Sequence, residues 1–227
     1  MASTPIVTID GPSGSGKGTI SRAVAVRVGW HLLDSGALYR LVALAGLKSS
    51  LQSDDVEGHA RIAGSMDVRF DVRPDGNELV SLAGEEVTDQ IRSEIAGQGA
   101  SRVAAWPSVR NALLERQRAF AKPPGLVADG RDMGTVVFPG ADLKIFLTAS
   151  PDERALRRYK QLKDKGSDVS LPALSREITE RDLRDSTRVV APLKPAPDAE
   201  VIDSTRLTIE QVVDHVLACG RLRALWT

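Results

Sequence analysis

The stretch Gly11-Pro12-Ser13-Gly14-Ser15-Gly16-Lys17-Gly18-Thr19 constrains this 227-residue chain more than any other. It follows the short β-branched run Pro5–Asp10 and precedes Ser21–Val28, which stops at Gly29. That order reads as a buried strand, a glycine-rich turn, and a helix with a glycine terminator. It is the context a phosphate-binding P-loop requires. Glycines let backbone N–H groups converge on one point, and the helix N-terminus adds partial positive charge there. Lys17 then carries a point charge to the outer phosphates of a triphosphate. The residue after the lysine is Gly18, where the strict motif offers a hydroxyl to Mg²⁺. A metal at this loop must therefore lean on water, phosphate oxygens and another residue, with Thr19 a candidate.

Bulk properties narrow the partners. Thirty basic and thirty acidic residues cancel, which argues against nucleic acid or an anionic membrane. A hydrophobic fraction of 42% suits an ordinary globular core. The single Cys219 excludes an intramolecular disulfide and fits a reducing compartment. His31, His59 and His215 lack metal-ligand spacing. No leader or membrane-length apolar run is seen, so a soluble cytoplasmic protein is expected. With no obvious apolar seam, a monomer is expected.

His31–Asp34 reads as a second strand and Ser35–Leu47 as a helix. Asp34 and Ser35 thus sit at a strand's carboxyl end, where ligands collect in open parallel sheets. Ser35 is also placed to cap its helix. Arg40 lies one turn further on. From Met66 the texture alternates, with strands expected at Met66–Val72 and Glu78–Ala83 around the turn residues Arg73–Asn77, and a short edge at Gly84–Val87. This antiparallel material reads as an inserted subdomain, about 64–95. Helices follow at Gln98–Ala105 and from Pro107, the latter with Val109, Leu113 and Phe120 on one face. Leu126–Asp129 and Leu143–Leu147 are core strands. Asp129, a strand-terminal carboxylate, is where a Walker-B-type residue orders Mg²⁺ waters.

Ser150–Glu153 has the residues of a capping box opening a helix with Arg154, Arg157 and Arg158. A second helix from Leu171 carries Arg176, Arg181, Arg184, Asp185 and Arg188, with 181, 185 and 188 on one face. Arginine stripes are ordinarily solvated. Beside a phosphate site they neutralise the charge that phosphoryl transfer spreads over equatorial oxygens, so 151–190 reads as an arginine-rich lid. Glu200–Asp203 is a fifth strand. Thr208–Gln211 caps a last helix with Ile209, Val212, Val213, Val216 and Leu217 expected in the core. The fold class is α/β, a P-loop fold with a five-stranded parallel sheet flanked by helices, the small antiparallel insert and the helical lid, in one domain over 1–227.

GPSGSGKGT, HLLDSGALYR, VADGRDMGTVVFP and ERDLRDSTR together resemble the bacterial cytidylate kinases, nucleoside monophosphate kinases of the P-loop class. The resemblance runs from Ile6 to the final helix. It implies transfer of the γ-phosphoryl of ATP to CMP or dCMP, with Mg²⁺ required. Lys17 and the amides of Gly11–Thr19 then hold the ATP phosphates, joined by Arg158. The acceptor phosphate falls to Arg40, Arg131 and Arg181, the base to Ser101, Arg110 and Asp132, and the sugar to Asp185 and Arg188. Ser35 and Tyr39 line the same pocket. Lys17, Arg131, Arg181 and Asp129 are the residues placed at the transfer itself. Asp34 is placed with the substrate-binding residues and reads as positioning or metal-water ordering, with a purely structural role almost as open. Cytosine's edge is consistent with this, since Asp132 accepts from N4 while Arg110 and Ser101 donate to N3 and O2. Uracil mismatches that set at about 1–3 kcal/mol. A UMP- or AMP-directed kinase is the alternative.

Overall fold

The computed structural model describes residues 4–73, 78–164, 166 and 168–226. In chain order the first elements are β1 (Ile6–Asp10), α1 (Lys17–Val28), β2 (His31–Asp34), α2 (Ser35–Lys48) and α3 (Val56–Ser65). Then come β3 (Val68–Val72), β4 (Glu78–Leu82), β5 (Glu85–Glu86), α4 (Thr88–Ile91), α5 (Glu94–Val103) and α6 (Pro107–Arg118). The last are β6 (Leu126–Gly130), a π-helical turn at Met133–Val137, β7 (Leu143–Thr148), α7 (Pro151–Asp164), α8 (Leu171–Thr187), β8 (Glu200–Asp203) and α9 (Ile209–Leu222). They divide into two compact units, Met1–Asp34 with Arg118–Thr227, and Ser35–Gln117.

The first unit holds the five-stranded sheet in the order β2-β6-β1-β7-β8, with every neighbouring pair parallel. The inner strands β1, β6 and β7 are buried along most of their length, as strands covered on both faces are, whereas the edge strand β8 buries only Ile202. Val7, Ile9, Ile145 and Leu147 pack with Ile20 and Val24 of α1 and Val212, Val213 and Val216 of α9. Thr8 and Asp10 point to the opposite face, which the π-helical turn covers: a Cβ on Gly134 would lie 2.8 Å from Thr8 Oγ1. Register sets Asp34 beside Asp129, and Asp10 beside Gly130, so three strand-terminal aspartates share one carboxyl edge.

The second unit packs α2 against α5 and adds the antiparallel sheet β3-β4-β5. The helices approach closely because Gly99 has no side chain; a Cβ there would stand 2.8 Å from that of Ala43. Leu38, Leu41, Val42, Ile91, Val109 and Leu113 are buried in this unit.

Several local expectations are corrected. The helix expected from Gln98 begins at Glu94, because Ser93 accepts from the Ala96 amide and caps it. Phe120 lies beyond the end of α6, and Gln117 is the buried residue of that last turn. Only half of the capping box at Ser150 forms: its hydroxyl accepts from Glu153 N–H, but its own N–H donates to Thr205 and the Glu153 carboxylate accepts from Arg157. The box at Thr208 and Gln211 is complete. Ile209 is 55% exposed, since the first residue of a helix projects past the core its later turns bury. α4 has no counterpart in the sequence reading. The expected turn residues Pro74, Asp75, Gly76 and Asn77 lie outside the described residues.

Candidate active site

Between β1 and α1 the chain wraps as the glycine pattern demands. A Cβ on Gly11 would meet the Leu147 carbonyl oxygen at 2.0 Å, so only glycine lets the loop cross the end of β7. Gly16, at the N-cap of α1, has φ 91°, a left-handed value that glycine adopts without steric cost. Lys17 opens the helix with its Nζ donating to the Pro12 carbonyl at 3.0 Å, inside the curve of the loop. Burial, and then the Arg131 and Arg181 guanidiniums, hold its pKa down to about 7 against the pull of Asp129 and Asp185.

Two arginines of α7 brace this loop from outside. Arg154, 4% exposed, donates to the Ser13 carbonyl at 3.1 Å and to the Ala149 carbonyl, and pairs with Asp182 of α8 at 2.6 Å. Arg157 donates to the Ser15 carbonyl at 3.3 Å and to Ser204 O at 2.6 Å. Sequence reasoning assigned Arg158 to the ATP site and gave Arg154 and Arg157 no individual role. In the structure Arg158 donates to Gln161 one turn along the same helix. Three near-adjacent arginines carry the signal; which of them turns inward is a matter of helix phase.

Residues expected at the acceptor fall in both units. In the first, Arg131 Nε donates to Asp185 Oδ2 at 2.9 Å, and Arg188 lies 3.8 Å from Asp132 Oδ1. Asp132 and Asp185 are buried. Burial pushes the Asp185 carboxyl up, but the charges of Arg131, Arg181 and Arg188 outweigh it and hold the pKa below the usual carboxylate range. Asp185 of α8 thus reaches the segment after β6 through Arg131, whereas Arg188, expected on the same helical face, stands just past the end of α8 as its C-cap and reaches that segment through Asp132. Arg176 and Arg184 of the same helix are exposed.

In the second unit the Arg110 guanidinium donates to the Ala104 carbonyl at 3.2 Å and stands 5.8 Å from the Tyr39 ring centroid, a cation–π arrangement. Arg40 donates to the Ile91 carbonyl at 2.9 Å. Ser35, Tyr39, Ser101 and Arg110 are all buried.

Mg²⁺ was expected at the loop, and the residues present fit it. A Cβ on Gly18 would lie only 3.2 Å from Asp129 Oδ2. The bare glycine thus lets the strand-terminal carboxylate approach the start of α1, where a serine would crowd it. Thr19 is exposed in the same first turn. Among the described residues no three His, Cys, Asp or Glu side chains cluster as a metal cage.

Asp10 was overlooked in the sequence, although it is a strand-terminal carboxylate by the same reading that singled out Asp129. Its oxygens accept from the backbone N–H groups of Met133 at 2.9 Å and Gly134 at 2.8 Å. Burial raises its pKa to about 7 against those two bonds, with the charges of Asp132 and Asp129 adding to the rise.

A lysine-bearing glycine loop at the carboxyl edge of a parallel sheet, faced by arginines from a neighbouring helix, defines a P-loop phosphotransfer protein. The family model described as cytidylate kinase matches residues 7–221. The chain is 58% identical over 217 residues to the cytidylate kinase of Pseudomonas paraeruginosa (strain DSM 24068 / PA7), covering 95% of each chain. It is 60% identical over 215 residues to that of Pseudomonas aeruginosa (strain LESB58), covering 94% of this chain and 93% of the relative. Identity to the cytidylate kinase of Marinomonas sp. (strain MWYL1) is 58% over 214 residues, covering 94% of each. The chain belongs to the cytidylate kinase family.

Proposed function

We propose that this protein transfers the γ-phosphoryl group of ATP to CMP or dCMP, yielding ADP and CDP or dCDP. Beyond family membership, the convergence of Lys17, Arg131 and Arg181 carries the reading. Burial and mutual repulsion press Lys17 toward neutrality, and an anion of several charges offsets that repulsion. Two phosphorylated substrates meeting head to head supply such an anion.

The loop amides and Lys17 hold the donor phosphates. The acceptor phosphate is assigned to Arg131, Arg181 and Arg40. The nucleophile is an already ionised phosphate oxygen of CMP, so no general base is needed and catalysis is alignment plus charge neutralisation. Asp129 would hold the waters of a Mg²⁺ ion, with Thr19 in the first turn of α1 a further candidate, and the ion would supply positive charge against the donor phosphates. Asp185 and Arg188 are assigned to the sugar, and Ser101, Arg110 and Asp132 to the base. Arg158, in this reading, meets ATP when the 151–190 segment closes over it. Among the described residues no helix is long and apolar enough to cross a membrane. A cytoplasmic monomer fits the balanced charge and the single cysteine.

An ADP-release assay across AMP, CMP, dCMP, UMP and GMP tests the proposal. CMP and dCMP are expected to turn over with the highest kcat/KM. A higher value for UMP or AMP would overturn the substrate assignment and leave a monophosphate kinase of another specificity.

A further inference from the structure

The π-helical turn Met133–Val137 begins at Asp132, which occupies the N-cap position, yet the Asp132 side chain makes no capping bond. A helix start leaves backbone N–H groups without partners inside the helix, and a buried start must satisfy them elsewhere. Here the first two go to Asp10, whose Oδ1 accepts from Met133 N and Oδ2 from Gly134 N. The cap is delivered by the neighbouring strand, 123 and 124 residues earlier in the chain. The turn cannot slide to find another partner. It rests on the sheet at Gly134, where even a methyl group would run into Thr8 and Lys144, and Asp10 is only 5% exposed.

The geometry points to Asp10 as a positioning residue for acceptor recognition, a role that rests on the CMP reading above. By capping the turn in place of Asp132, it leaves the Asp132 carboxylate to turn toward Arg188 and the acceptor. By pinning the amides directly after Arg131 and Asp132, it fixes where both side chains start. Asp129 at the end of β6 fixes the other side of the same short segment through sheet pairing. Without Asp10 two buried N–H groups lose their partners, and the turn relaxes by recruiting the nearest carboxylate, that of Asp132.

The test compares Asp10→Asn and Asp10→Ala with wild type, measuring kcat and KM for CMP, UMP and ATP separately. Asp10→Ala is expected to raise KM for CMP by about tenfold or more, since displacements near 1 Å at a reacting site have effects up to about a hundredfold. The CMP-over-UMP preference should fall with it, while KM for ATP stays within about twofold. Asp10→Asn keeps one acceptor and should lie between the two. An unchanged KM for CMP and an unchanged preference in folded Asp10→Asn would overturn the proposal. Equal rises in the KM values for ATP and CMP would also overturn it, because they would mean that Asp10 serves only the adjacent loop. If neither variant folds, amide exchange in the wild-type protein decides: Met133 and Gly134 N–H must be protected like the amides of β6, and rapid exchange refutes the cap. If wild type shows no preference for CMP, the substrate assignment fails, and the same comparison on its preferred monophosphate still reports on Asp10.

Discussion

Asp132 is where one side chain decides the most chemistry. It is buried, stands at the start of the π-helical turn without capping it, and has Arg188 3.8 Å away. An ionised carboxylate accepts from an exocyclic amine and repels a carbonyl; an asparagine does either. Asp132→Asn should therefore shrink the CMP-over-UMP ratio of kcat/KM by roughly tenfold, within the range for one mismatched buried polar pair. An unchanged ratio, measured with both monophosphates at saturating ATP, would remove Asp132 from base recognition. Gly18 shows a residue chosen for what it omits, since a side chain there would crowd Asp129.

At the scale of elements, α7 and α8 act as a pair, and Arg154 couples them to the glycine loop. Its guanidinium is spent on the Ser13 and Ala149 carbonyls and on Asp182. Removing one partner of a buried ion pair strands the other charge, at about 3–5 kcal/mol when both are fully enclosed. The Asp182 side chain is 27% exposed, so Arg154→Ala should lower unfolding free energy by about 2–3 kcal/mol in urea titration. The loop carbonyl it releases lies among the donor-phosphate amides, so KM for ATP should rise more than KM for CMP. Glycine-loop, strand and cap signals had already marked most of these elements, because each is a pattern within a dozen neighbouring residues. Where Arg154, Arg157 and Arg158 point was not legible, since that depends on how α7 rolls against the loop.

For the whole molecule, two buried groups tie stability to pH in opposite directions. Asp10, raised to about 7, contributes stability that is complete below its unfolded pKa and is lost as pH rises through 7. Lys17, lowered to about 7, destabilises the fold fully below that value, and the penalty fades as pH rises toward 10.5. Asp10→Asn removes the first contribution. The stability of wild type relative to this variant should therefore fall by about 2–3 kcal/mol between pH 5 and 7.5. Urea unfolding at both pH values checks it, and a constant difference would mean Asp10 stays ionised in the fold. The sequence by itself determined the parallel sheet, the phosphate loop, the strand-terminal Asp129 and the helix that carries Arg181 and Asp185, because glycine geometry and apolar periodicity act over short spans of chain. Only the tertiary structure decided that Asp10 caps a turn 123 residues away, that Arg131 pairs with Asp185 and that Arg154 rather than Arg158 braces the loop. Those choices depend on which buried donor finds an acceptor once the strands are laid side by side, and no local pattern encodes that.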